Sequence, residues 1–423
     1  MRVAVIGGGV AGLMACRALA DRSEVTLLEA GDRPGGHVHT AVDPATGAAV
    51  DLGFIVWNRL RYPRFGAVLD QLGVRSQPAE MSFSVRRDDG SLEYGSRDLA
   101  ALLSGAPLSP RRHRFVLRVV RFLARARRDL RAGVAAGRSL DDYLAAARIP
   151  DDVGRDLVAP LAGALWSMAP EAIGDFPAET FLRFLDQHGM LRALRPLPWL
   201  TVAGGARRYV DALLAALPAR VLLGTPVTAV EPDAGGVTVR ADGAELRVDR
   251  AILAVHPDTA LALLASPTDD ERAVLGAFRL SDNRAVLHTD QALLPQAPAA
   301  RASWNYVVHG DRTRVSVTYD MSRLQGIAGP TRYLVTLNPR RPIDADRVIA
   351  RARFAHPLLD ATAVGAQAAL PRLQGARRVY FAGAWSGYGF HEDGARAGLA
   401  AAARLWLDGA GAATAGNHAE AAG

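Results

Sequence analysis

The 423-residue chain has no lysine; all 50 of its basic residues are arginine, a bias that genome base composition explains. No lysine can therefore hold a water for catalysis. Cysteine is nearly as scarce. Cys16 stands alone, so an internal disulfide is excluded, and its place in an apolar helix marks it as a small buried residue, not a reactive thiol. No uninterrupted apolar run reaches about 18 residues, so no transmembrane helix is expected. The first strand begins at the second residue, which leaves no room for a secretory leader and makes a cytoplasmic chain the expectation. No catalytic triad, carboxylate pair or metal-ligand spacing is evident, and no metal is expected. Nucleic-acid motifs are missing as well. The net charge of +7 and pI near 10.0 therefore point to an anionic membrane surface before a nucleic acid. The length suggests two or three domains, with 49% hydrophobic residues as ample material for a core.

What the chain does have begins at once. Arg2–Ile6 is apolar and β-branched, as a buried parallel strand requires. Gly7, Gly9 and Gly12 then fall at the G-x-G-x-x-G spacing, and an Ala-rich helix runs over Val10–Ala20. The first glycine permits the tight turn, the second lets backbone approach a pyrophosphate, and the third lets helix pack on strand. The helix N-terminus offers its free N–H groups to the anion. A second strand, Glu24–Leu28, ends on Glu29, placed to accept from a ribose hydroxyl. Strand, glycines, helix and acid together specify an adenine-dinucleotide site.

The next segments identify the dinucleotide by resemblance. AGDRPGGH (Ala30–His37) and AVDLG (Ala49–Gly53) resemble the amine-oxidase-like flavoproteins, in which an acid–Ala pair precedes Arg-x-Gly-Gly-Arg. Glu29, Ala30, Arg33, Gly35 and Gly36 match that pattern, and His37 replaces its last arginine. The resemblance implies FAD, wrapped by these residues and by Asp51 and Gly53. It also implies that Val227, in TPVTAVE, contacts the adenine through its backbone. Near the C-terminus, VYFAGAW places Gly383 before Ala384, where the family usually has an acid, and Gly394-Ala395 opens a helix aimed at the flavin. His391 falls where amine oxidases carry a caging tyrosine, so an aromatic amine cage is not evident. The family's usual N5-side lysine is missing too. A flavin link through Cys16 is improbable; one through His37 stays open.

The implied fold class is α/β: a Rossmann-like FAD-binding domain with a second substrate domain of antiparallel sheet plus helices. Residues 1–80, 201–280 and 370–407 are expected to form the first, residues 81–200 and 281–369 the second with its helical cap, and 408–423 a disordered tail. In the cofactor part a hairpin turns at Gly235-Gly236 between Thr225–Glu231 and Val237–Ala241, Arg250–Val255 forms a buried strand, and His256 reads as a turn residue. Strands are expected at Met81–Val85, Ser91–Tyr94, Arg284–His288, Ser303–Val308, Arg314–Tyr319 and Tyr333–Leu337. Apolar helices are expected over Leu157–Trp166 and Phe176–Gly189. Trp57 and Tyr62 either line a pocket or pack in the core.

Ser109–Ala132 reads as a basic amphipathic helix. Arg114, Arg118, Arg121, Arg125 and Arg128 share one face, and Val116, Val119, Val120 and Leu123 the other. Such a helix suits an anionic membrane surface, or equally a solvated charged face.

Asn283–Asp290, Ser303–Tyr306 and Thr318–Gln325 resemble a narrower bacterial subgroup, often encoded beside cyclopropane-fatty-acid-synthase-like methyltransferases. That resemblance implies a lipid acyl chain as substrate and a lipid methyltransferase as partner. Hydride removal from an activated C–H, giving a new double bond, is the expected reaction, with His391, His288 and Tyr319 as candidates for proton removal. A redox-neutral double-bond isomerase, an amine oxidase and a non-enzymatic FAD-stabilised partner are the alternatives.

Overall fold

The computed structural model describes residues 1–104, 109–166, 170–191, 197–309 and 316–420. Its central sheet has five parallel strands in the spatial order Val379–Phe381, Arg250–Leu253, Arg2–Ile6, Glu24–Leu28, Arg220–Leu222. Three separated stretches of chain thus meet in one sheet. Arg2–Ile6 lies in the middle, with Val3 beside Val25 on one side and Arg250 on the other. Its two faces serve two cores. Val3 and Val5 meet Leu13 and Met14 of the first helix, Tyr209 and Leu213 of helix Arg207–Ala215, and Leu405 of the C-terminal helix. Ala4 and Ile6 meet Val230, Val237, Leu275 and Ala363 on the opposite side. This double cover is why the strand carries no polar alternation. Cys16 is fully buried, and burial pushes its thiol up to about 12.

A three-stranded antiparallel sheet, Val227–Pro232, Val237–Ala241 and Ala244–Val248, packs on the Ala4 and Ile6 face of the central sheet. Its last strand is signalled by Asp242-Gly243, both at positive φ, the residue pair that a two-residue hairpin turn favours.

The chain leaves and re-enters through an antiparallel pair, Ser76–Ala79 against Trp199–Val202. A seven-stranded sheet lies beyond, in the order Val348–Leu358, Arg279–His288, Leu334–Leu337, Ser316–Asp320, Trp304–Val308, Phe83–Arg87, Glu93–Gly95. Its pairs are antiparallel except that between Trp304–Val308 and Phe83–Arg87. The strands expected between 280 and 340 are found, the first residues of the expected Arg314–Tyr319 strand lying outside the described set. Val348–Leu358 was not expected. It is an edge strand, and the arginines and Pro357 that hide it from a strand reading are what an edge tolerates.

Helices between 110 and 187 form a separate core in which Trp166, Phe176, Phe181, Phe184 and Leu185 pack with Phe122 and Ala126 of helix Pro110–Arg131. That helix buries Phe115, Phe122 and Ala126; of the expected stripe of Val116, Val119, Val120 and Leu123, Val119 and Leu123 pack half-buried beside them and Val120 is exposed. The larger rings claim the interior, and Leu117 and Val120 are left outside.

The C-terminal helix, His391–Glu420, runs through the tail that was expected to be disordered. Among the described residues no helix is long and apolar enough to cross a membrane.

Candidate active site

The C-terminal ends of four parallel strands converge on one cavity of about 460 Å³. Ile6 leads into Gly7, Leu28 into Glu29, Leu253 into Ala254–His256 and Phe381 towards Gly383-Ala384, and these following residues line it. That is where open α/β sheets place their ligands.

Space at the glycines shows what this end is made for. A side chain on Gly12 would strike the Gly7 carbonyl, so this glycine sets the contact between helix and strand. A Cβ on Gly9 would meet nothing within 4 Å. Gly9 is an ordinary residue in backbone terms, at φ −71, and its glycine is explained by a group that occupies the open space. Gly9 caps the first helix with no side-chain acceptor, leaving the helix N-terminus to an anion. Across from it the second glycine pair closes the wall: Gly35 donates to the Gly8 carbonyl at 2.8 Å, and a Cβ on Gly36 would lie 3.1 Å from the Gly9 Cα. Glu29 accepts from the Gly8 N–H at 2.7 Å and the Gly31 N–H at 2.8 Å, which holds its carboxylate at the cavity edge. An open glycine floor at a helix N-terminus beside a positioned acid fits the pyrophosphate and ribose of FAD.

Of the residues expected to hold the cofactor, Gly7, Gly9, Glu29, Gly35, Gly36, His37, Gly53, Gly383 and Ala384 line the cavity. The others lie outside its lining. Gly12 sits where the first helix meets the central strand, Gly394 where the C-terminal helix crosses the first, with a notional Cβ 2.6 Å from Val10 Cγ1, and Ala395 is fully buried in the helical core. Ala30 lies exposed on the outer side. Arg33 turns back on its own loop, donating to the Val38 carbonyl at 2.8 Å and lying 2.9 Å from His39 Nδ1. Val227 opens its strand two residues after Thr225, whose N–H donates to the Glu29 carbonyl at 2.9 Å. Asp51 is fully buried and accepts from Thr40, from the Ala206 N–H at 3.0 Å and from Gln325 Nε2 at 3.0 Å. It braces the strand that delivers Gly53, and burial pushes its carboxyl up to about 7.

Three imidazoles gather midway along the cavity. His37 stacks on His356 at 5.4 Å and meets His256 edge-on at 5.8 Å, and its Nε2–H donates to the Ala355 carbonyl at 3.1 Å. Burial pushes His37 down to about 4 and His356 to about 3; it also lowers His256. All three are neutral at ordinary pH. The sequence reading missed His356 and left His256 as a turn residue. Its position after the Arg250–Leu253 strand was the available signal, since ligands gather at such ends.

The far end is walled by rings. Trp166 meets Phe184 at 4.9 Å, Phe184 stacks on Phe390 at 4.7 Å, and the Trp166 indole donates to the Tyr388 carbonyl at 3.0 Å. Met81, Ile55, Met190, Trp199, Trp304 and Tyr319 complete it. Tyr62 also lines the cavity, whereas Trp57 is fully buried against Phe65.

The three proton-removal candidates separate. His391 lines the cavity, stacked on Phe54 at 3.7 Å, with Nε2 2.6 Å from the Tyr209 hydroxyl. Burial pushes it down to about 3, so it is a free base. Tyr319 also lines the cavity, with its hydroxyl pushed up by burial and no hydrogen-bond partner among the described residues. His288 does not reach it. Its ring is held within the sheet, Nε2 2.8 Å from Thr336 Oγ1 and Nδ1 accepting from the Asp290 N–H at 3.1 Å.

Comparison with known proteins gives a consistent result. The family model for flavin containing amine oxidoreductase matches residues 10–288, more than half of the chain. Polyamine oxidase 4 of Oryza sativa subsp. japonica is 54% identical over 52 residues, 12% of this chain and 10% of that protein. (S)-6-hydroxynicotine oxidase of Paenarthrobacter nicotinovorans is 36% identical over 84 residues, 19% of this chain and 20% of that protein. The matches thus span only a small part of these relatives. Among solved structures, a CLA-producing fatty acid isomerase from P. acnes superposes with a TM-score of 0.71 at 19% identity, over 95% of this chain and 98% of that one. Cyclohexylamine oxidase from Brevibacterium oxydans IH-35A gives 0.71 at 17% identity, over 96% and 99%. At such identities the likeness is one of fold.

Proposed function

Because this chain belongs to the flavin-containing amine oxidoreductase family, with FAD as its cofactor, we propose that it desaturates an apolar acyl chain, free or carried on a phospholipid. One observation carries this reading. Among the described residues that line the cavity, Glu29 at the ribose end is the only charged one. Past the imidazoles the described lining is aromatic, aliphatic or thioether, a wall that favours hydrocarbon and sets no carboxylate beside an ammonium group.

Bound FAD supplies an acceptor for a hydride. The chain's own residues do the rest. Trp166, Phe184 and Phe390 keep the far end dry and hold a flexible chain by contact alone. For a double bond to form, the carbon next to the one that loses hydride must give up a proton. His391 is neutral and buried, lines the cavity with one ring nitrogen held by Tyr209, and is the candidate base. An allylic or branch-point C–H makes hydride loss feasible, so an unsaturated or methyl-branched chain is the substrate class.

The test is anaerobic mixing of the FAD-loaded protein with extracted bacterial lipids. Flavin bleaching together with acyl chains lighter by two hydrogens supports the reading. A shifted double bond at unchanged mass, without oxygen use, replaces it with isomerisation. No bleaching by any lipid, or peroxide formed from polyamines, overturns it.

A further inference from the structure

We propose that the outward face of helix Pro110–Arg131 docks on an anionic phospholipid bilayer. The inward stripe runs through Phe115, Phe122 and Ala126, with Arg112 and Asp129 buried at its edge. That register turns Leu117 and Val120 away from the protein, 49% and 50% exposed. With about 3.6 residues per turn, Ala124, Arg121 and Arg128 share their side of the helix.

The arginines fall into two groups. Arg118, Arg125 and Arg127 are paired, with Asp152 at 2.7 Å, Asp129 at 3.0 Å and Asp186 at 3.3 Å, and Arg128 lies 3.7 Å from Asp129. Asp152 and Asp186 lie on neighbouring helices, so two of these pairs tie the helix to the cap. Arg111, Arg114, Arg121 and Arg131 have no carboxylate partner among the described residues. The helix's one acid, Asp129, is buried. The outward face therefore keeps a net positive charge, and it has two large aliphatic side chains in its middle.

A nucleic acid would engage the guanidinium groups and leave Leu117 and Val120 in water. A bilayer interface uses both: lipid phosphates take the arginines, and the aliphatic pair enters the boundary below them. The inference does not rest on the substrate proposed above, because adsorption needs no turnover.

Co-sedimentation of the FAD-loaded chain with vesicles tests it. The protein should pellet with phosphatidylglycerol–phosphatidylcholine vesicles and stay in solution with pure phosphatidylcholine. R114Q/R121Q should weaken binding by about 25-fold, roughly fivefold per arginine. L117S/V120S should weaken it by about tenfold or more. An unchanged flavin spectrum in each variant confirms that it is folded. Equal pelleting with both vesicle types, failure to pellet with either, or variants that bind like the parent would overturn the proposal. So would binding to duplex DNA that L117S/V120S leaves intact while vesicle binding is absent.

Discussion

At its dinucleotide end the cavity is walled by backbone; at its far end it is walled by rings. The first wall exists because side chains are missing at Gly7, Gly9 and Gly36, where two loops and a helix N-terminus close on each other. The second exists because large side chains from distant parts of the chain, among them Trp166, Phe184, Trp304 and Phe390, meet there. A backbone wall recognises groups common to every dinucleotide and tolerates almost no change. A ring wall recognises shape, and its makers can be exchanged for others of similar volume.

Three substitutions break this comparison in graded ways. Gly12→Val drives a side chain into the Gly7 carbonyl, and the helix must lift from the central strand. A loss above about 4 kcal/mol is expected, seen as little or no folded protein in urea titrations. Trp166→Ala opens the ring wall among Phe176, Phe181 and Phe184 and should cost about 3–5 kcal/mol of stability while FAD affinity changes only a few-fold. Gly9→Val should do the reverse. Its backbone accepts a side chain and nothing in the protein stands in the way, so the melting temperature of the flavin-free protein should hold. FAD affinity should fall about 100-fold or more, since the branched side chain takes the space of the ligand. Should Gly9→Val unfold the protein, or bind FAD normally, the open glycine is not a cofactor site.

This division also explains what could be read from the sequence. The glycines, the first two strands and Glu29 obey local rules within some thirty residues, and the structure places them as those rules require. Asp51 and Gly394-Ala395 lie outside the cavity lining, and their contacts could not be read locally: the donors to Asp51, Ala206 and Gln325, are over 150 residues away in the chain, and Gly394 meets the first helix. His356 had no local signal, since it lies on an edge strand whose arginines and proline disguise it. The helix Pro110–Arg131 was legible in extent but not in facing, because Val120 and Phe122 propose different stripes and only tertiary packing decides between them.

The imidazoles at the junction of the two walls offer the finest test. His37, His356 and His391 are held near 4, 3 and 3, below an ordinary value of 6.5, because burial penalises the charged ring. Above pH 6.5 they are neutral whether the chain is folded or not, and their neutral burial is without penalty. As pH falls below that value, the unfolded chain takes up protons that the folded chain refuses. Stability is therefore lost from pH 6.5 downward until the folded values near 4 and 3 are passed. Asp51 and Asp393, raised to about 7 and 6, act in the opposite sense and partly offset the loss. Total acid sensitivity thus mixes both signs, and a single replacement isolates one of them. His356→Gln leaves Asn283 a partner for the hydrogen bond it now makes to Nδ1 at 3.2 Å, and it removes one refused proton. The decline of the urea midpoint between pH 6 and pH 5 should flatten by about 1 kcal/mol per pH unit in terms of unfolding free energy. An unaltered slope would mean that His356 takes its proton in the folded protein, and that the middle of the cavity is wetter than either of its walls.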